Sequence, residues 1–160
     1  MSINRIIIHH TGGTWFPNET DKECYHYIIS GDGNVYNGRF SPEANIPPLV
    51  PGMYAAHTRL GNSNTIGIAV ACNYNYSINN KEATAWPLTE KQYNALINKV
   101  VELMYEYNIT DVNKVFTHYW FDKCKGIKQG KSDITYIPWK PELQPDDVIY
   151  YIRDYIKSRL

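Results

Sequence analysis

The stretch Ile6-Ile7-Ile8-His9-His10-Thr11-Gly12-Gly13 decides how this chain is read. Three consecutive β-branched residues, stopped by a Thr-Gly-Gly break, predict a short strand buried on both faces. That strand delivers two imidazoles at its C-terminal lip. In open α/β folds this edge of the sheet is where sites are built, and a neutral imidazole is the commonest metal ligand. His9 is therefore a candidate first ligand, provided that partners arrive from elsewhere in the chain. Strand alternation lets only one of His9 and His10 face a given site.

Beyond the break, residues 11–24 hold Gly12, Gly13 and Pro17 among polar side chains and read as a loop with at most one turn of helix. Tyr25-His26-Tyr27-Ile28-Ile29 and Asn34-Val35-Tyr36-Asn37-Gly38-Arg39 flank Ser30-Gly31-Asp32-Gly33. Asp-Gly between two aromatic and β-branched runs predicts a hairpin, because the turn needs positive φ. Pro42, Pro47, Pro48 and Pro51 exclude a central strand from residues 41–54 and predict an irregular surface loop of the kind that shapes a cleft. Thr65-Ile66-Gly67-Ile68-Ala69-Val70-Ala71-Cys72 is small or β-branched throughout, as a central strand crowded on both faces should be. Asn73 to Asn80 is polar and predicts a surface loop.

Thr89 and Gln92 form a capping box that opens a helix, and Tyr93, Leu96, Ile97, Val100, Leu103, Met104 and Tyr107 recur along one face of it. Lys114-Val115-Phe116-Thr117-His118 is a second strand that ends in a histidine. From Trp120 to Leu143 the chain reads as irregular. A last helix begins near Asp146 and turns Val148, Tyr151, Ile152, Tyr155 and Ile156 inward. The pattern is α/β, with a central mixed sheet flanked by helices.

With 160 residues, 43% of them hydrophobic, the chain suffices for one sizeable core, so residues 1–160 are expected to be a single domain. Sixteen basic and sixteen acidic side chains cancel, which leaves no electrostatic footprint for nucleic acid or an anionic membrane surface. No apolar run reaches the roughly 20 residues of a membrane span. The N-terminus shows no signal peptide, so synthesis in the cytoplasm is expected. Cys24, Cys72 and Cys124 are odd in number and lack CxxC spacing, which argues against a disulfide framework or a cysteine-rich zinc finger.

Two strands far apart in sequence, each ending in a histidine, bring His9 and His118 together if they are neighbours in one sheet. Zinc needs a third protein ligand and an open position for water. Cys124 and Asp133 are both candidates, and ligand chemistry alone does not choose between them.

Taken in order, His9 after an apolar strand, the hairpin from Tyr25 to Gly33, Ile66-Gly67-Ile68 in a central strand and the late Thr117-His118 resemble the zinc-dependent N-acetylmuramoyl-L-alanine amidases. This is the type 2 amidase family, which includes T7 lysozyme, AmpD and the peptidoglycan recognition proteins. The similarity runs over roughly residues 3–157 and implies their fold. It also implies a Zn2+ cofactor held by His9 and His118, and bacterial peptidoglycan as the substrate. The third ligand is where this chain departs from the T7-like members, because Cys124 has no lysine two residues before it. Lys131-Ser132-Asp133 reproduces the Lys-x-Asp of AmpD-like members, so Asp133 is the preferred ligand, with Lys131 as catalytic companion, over Cys124 with Lys123 or Lys125.

Position within the family motif implies a catalytic role for Tyr25 and a substrate contact at the cleft rim for His57. AmpD-like relatives carry a glutamate where Ala69 stands, so catalysis would rest on Tyr25 and Lys131. The reaction implied is hydrolysis of the amide joining N-acetylmuramic acid to L-alanine. A phage or prophage endolysin is expected, a monomer made in the cytoplasm and released to the wall through a holin or its equivalent. The alternative is a peptidoglycan-binding module of the non-catalytic recognition-protein type.

Overall fold

A computed structural model describes residues 2–73 and 86–160, so the loop expected up to Asn80 falls outside the described residues from position 74 onward. Five strands form one mixed sheet: β1 (Arg5–His10), β2 (Tyr27–Ile29), β3 (Val35–Asn37), β4 (Thr65–Val70) and β5 (Val115–Thr117). Their order across the sheet is β3-β2-β4-β1-β5. All neighbours run parallel except the β2–β3 hairpin. β4 is central and buried along its whole length, as its small and branched composition predicts. The hairpin turns where Asp-Gly stands, with Gly33 at φ 87° supplying the left-handed residue.

Alternation divides the sheet into two unlike faces. Ile6, Ile8, Ile66, Ile68, Val70 and Ile29 belong to one aliphatic core. Helices α2 (Glu90–Glu106) and α4 (Val148–Lys157) cover that face with Leu96, Ile97, Val100, Leu103, Val148, Ile152 and Ile156. Each fully buried branched side chain there contributes about 1.5–3 kcal/mol. The capping box of α2 forms as read, with Gln92 N–H donating to Thr89 Oγ1 at 3.0 Å. Gln92 does more: its Nε2 donates to the carbonyls of Ile29 at 2.9 Å and Ala71 at 2.8 Å, tying the helix to the ends of β2 and β4.

Two helices stand where the sequence reads as loop. The helix α1 (Glu19–Cys24) opens on an Asn18/Asp21 capping box but buries no side chain, so no apolar period announces it. Tyr25 still caps α1 through its N–H to Asp21 O at 3.0 Å, and β2 consequently begins two residues later than expected. The second, α3 (His118–Lys125), follows β5 without a linker. Thr117 caps it by accepting from Trp120 N–H at 3.2 Å, and Gly126 ends it at φ 68°. Among the described residues, no helix is long and apolar enough to cross a membrane.

Candidate metal centre

The face of the sheet away from α2 and α4 is lined by Ile7, His9, Gly67, Ala69 and Ile28, which the strand register places side by side. Small residues on β4 are required here. A Cβ on Gly67 would collide with the ring of His57. The space they leave is filled by a row of imidazoles: His26 and His57 lie 5.7 Å apart between ring centres, His57 and His9 5.2 Å, and His9 and His118 4.9 Å.

His9 sits at the C-terminal end of β1. His118 sits beside it because β5 pairs with β1 in the register Ile8↔Thr117 and then turns at once into α3. Asp133 arrives on the long segment after α3, anchored by Ile134 and Ile137 in the aliphatic core and by Tyr119 N–H donating to Asp133 O at 2.6 Å. His9, His118 and Asp133 are 1%, 4% and 5% exposed. Among the described residues they form the group able to hold a metal ion, with one donor atom from each and all donors within 4.8 Å of one another. Asp133 Oδ2 is 3.2 Å from His9 Nδ1 and 3.5 Å from His118 Nδ1.

The protonation states suit a cation. Burial alone would push the Asp133 carboxyl up, but hydrogen bonds with His118 and His9 outweigh it and hold the group ionised, well below the usual carboxylate range. Burial pushes His9 and His57 down, so both rings are neutral near pH 7. A backbone carbonyl only accepts, so His57 Nε2, 3.4 Å from Thr65 O, carries that ring's proton and its Nδ1 accepts. His9 Nε2 lies 3.2 Å from His57 Nδ1 and 3.2 Å from Thr58 Oγ1, while His9 Nδ1 lies 3.2 Å from the Asp133 carboxylate. One donor atom from each of His9, His118 and Asp133 converges in this buried pocket, placed to share a cation that would displace the hydrogen-bonding protons. Two nitrogens and one carboxylate oxygen are a donor set that zinc accepts.

The remaining candidates are placed as follows. Tyr25 lies against the cluster, its ring centre 5.1 Å from that of His9, and burial, then the Asp133 charge, pushes its phenol up so that it stays protonated. Lys131 is exposed, and its charge acts on Asp122 and His10. His57, expected at a cleft rim, is instead only 8% exposed and stands beside His9. Cys124 is exposed on the last turn of α3 and outside the cluster. His10 occupies the alternate register position and is not in the group of three.

Three neighbours escape a reading of the sequence alone. Asp122, one helical turn after His118, has its Oδ2 3.5 Å from His118 Nε2. Thr58 Oγ1 lies 3.2 Å from His9 Nε2 and 2.8 Å from His57 Nδ1. Asn45 holds the proline-rich loop in place by accepting from His26 Nε2 at 2.8 Å and donating to Ala55 O at 2.8 Å. The i,i+4 spacing from His118 to Asp122 was the available signal, hidden because the segment reads as irregular.

Comparison with known proteins gives the chain a family and a fold. The family model described as N-acetylmuramoyl-L-alanine amidase matches residues 1–135. Among curated sequences nothing matches. Among solved structures, the chain is similar to the N-acetylmuramoyl-L-alanine amidase LysC from Clostridium intestinale, with 23% identity, TM-score 0.55, and coverage of 88% of this chain and 82% of that one. The Ph2119 endolysin of a Thermus scotoductus bacteriophage is 17% identical with TM-score 0.56, and the match covers 98% of this chain and 86% of that one. A Drosophila peptidoglycan recognition protein, SD, is 20% identical with TM-score 0.51 over 73% of this chain and 69% of that one. At these identities the likeness is one of fold.

Proposed function

The chain belongs to the N-acetylmuramoyl-L-alanine amidase family, and from that premise we propose that it is a zinc-dependent hydrolase of the bond between N-acetylmuramic acid and L-alanine in bacterial peptidoglycan, serving as a phage or prophage endolysin. The observation that carries this reading is the convergence of His9, His118 and Asp133, from three separate segments, on one buried point. The metal would be held by Nδ1 of His9, Nδ1 of His118 and a carboxylate oxygen of Asp133. Zinc, when bound, supplies the Lewis acid that acidifies water and polarises the scissile carbonyl.

The chain's own residues do the rest. The donor set carries a single negative charge, on Asp133, so it does not quench the electrophile. His57 Nδ1 accepts a hydrogen bond from His9 Nε2–H and keeps that ring turned, a positioning role beside the substrate contact that the resemblance implies. Lys131, exposed and with its charge acting on Asp122 and His10, would supply a cation to the oxyanion that forms when the amide carbonyl is attacked. The Tyr25 phenol, held protonated by burial, donates to the same oxyanion or to the incoming water. A non-catalytic recognition module would lack part of this set, whereas all three metal donors are present here.

The test is mass spectrometry of purified peptidoglycan incubated with zinc-loaded protein. Free stem peptides beginning with L-alanine are expected, lost with a chelator and restored by zinc. Cleavage at a sugar linkage, or binding without products, overturns the proposal.

A further inference from the structure

We propose that Asp122 is a positioning residue for the metal centre, its carboxylate accepting a hydrogen bond from His118 Nε2–H so that the Nδ1 lone pair of that ring is turned toward Asp133. The inference rests on the zinc reading above and adds to it a residue that the family match does not assign.

The geometry is that of a ring held between two carboxylates. His118 Nε2 is 3.5 Å from Asp122 Oδ2, and His118 Nδ1 is 3.5 Å from Asp133 Oδ2. Asp122 is 5% exposed, so its charge is not there for solvation. His118 Nε2 and Asp122 Oδ1 have no closed hydrogen bond among the described residues, although both atoms are buried. Such orphaned groups are costly, and a pair that faces across one helical turn is positioned to satisfy itself once the ring is drawn to a ligand at Nδ1. A metal at Nδ1 forces the proton onto Nε2, and Asp122 is the acceptor in reach there.

The two imidazole ligands then differ in their outer partners. His9 Nε2 faces the neutral His57 and Thr58, whereas His118 Nε2 faces an anion. A carboxylate behind a ligating histidine fixes its tautomer and raises its basicity, so His118 becomes the stronger donor of the two. Asp122 is itself held: Gln129 Nε2 donates to its Oδ2 at 3.4 Å, from the segment that leads on to Lys131 and Asp133.

The experiment is zinc affinity by chelator competition on wild type, Asp122→Ala and Asp122→Asn, with the melting temperature of each metal-free protein and the imidazole N–H resonances of the zinc-loaded forms. Asp122→Ala is expected to weaken zinc about 10- to 100-fold. Asp122→Asn keeps an oxygen acceptor and is expected to lose less, but to move the His118 Nε2–H resonance. If wild type binds no zinc, the zinc reading itself fails. If wild type binds zinc while both variants bind it equally well and the resonance stays put, the Asp122 assignment alone is overturned. Should the alanine variant fail to fold, affinity and resonance in Asp122→Asn decide.

Discussion

The two faces of one strand teach the most about this molecule. On β4, Ile66, Ile68 and Val70 enter the aliphatic core beneath α2 and α4, while the alternate residues Gly67 and Ala69 stay small on the opposite face. The first set fills space and stabilises the fold. The second leaves space, and into it come imidazoles that no single segment could bring together. Stability and chemistry are therefore separated by the pleat of a strand and not by distance along the chain. That separation makes them independently breakable.

The largest effects belong to the polar face. Asp133→Ala removes the only anionic donor of the cluster, so zinc content should fall to background and amidase activity with it, read by metal analysis and peptide release. Lys131→Ala should keep its zinc and lose about 10²- to 10³-fold in kcat with little change in KM, since its charge is needed only when the oxyanion forms. Loss of zinc in the lysine variant would move Lys131 from catalysis to metal binding.

A matched pair tests the separation of faces directly. Ile68→Ala should cost about 2–5 kcal/mol in chemical denaturation through the cavity it opens, while zinc affinity in the folded fraction stays within about twofold of wild type. Gly67→Ala, one residue away, should cost less stability, about 1–3 kcal/mol, because the added methyl meets the His57 ring. It should weaken zinc by displacing His57 from His9. Equal effects on zinc from both substitutions would mean that the faces are coupled.

The next effect concerns pH. His26 is pushed down to about 4 from 6.5 by burial, with the hydrogen bond to Asn45 opposing. Its Nδ1 accepts from Gly67 N–H at 2.9 Å and so has no room for a second proton. The folded chain thus binds that proton less readily than the unfolded chain. Stability is full above pH 6.5 and erodes as pH falls toward 4, by about 2 kcal/mol between pH 7 and pH 5 from this residue. Urea midpoints of metal-free wild type and His26→Asn at the two pH values should show a flatter dependence in the variant. An identical slope would place the proton uptake on other members of the imidazole row.

What the sequence discloses follows the same division. α2 and α4 were legible because burial on one face writes a period of 3.6 into the chain, β1 and β4 because burial on both faces demands an unbroken small or β-branched run, and the hairpin because its turn needs Asp-Gly. α1 buries nothing and α3 buries only His118, Phe121 and Asp122, so neither carries such a period, and their caps at Asn18 and Thr117 were the only local marks. His9 and His118 were legible as strand ends. Asp133 needed a resemblance, because the segment bearing it has no regular structure. The burial of His57 depends on Gly67, and the role of Asp122 on a helix that the sequence hides. The first is a fact of long-range packing, and the second of a helix that carries no apolar period.

The smallest expected effect bears on the choice between Asp133 and Cys124. A thiolate is the softer ligand and in isolation the better match to zinc, which is why Cys124 qualified on chemistry. Its position removes it. His118 is the first residue of α3 and Cys124 the seventh, which at 1.5 Å per residue sets them about 9 Å apart along the axis, and 100° per residue turns the thiol away from the ring. Cys124→Ser should therefore leave zinc stoichiometry, affinity and peptide release unchanged within about twofold. A fall in bound zinc would require α3 to unwind on metal binding, and the anchoring of Asp133 by Tyr119 N–H, at the start of that same helix, would then have to be given up as well.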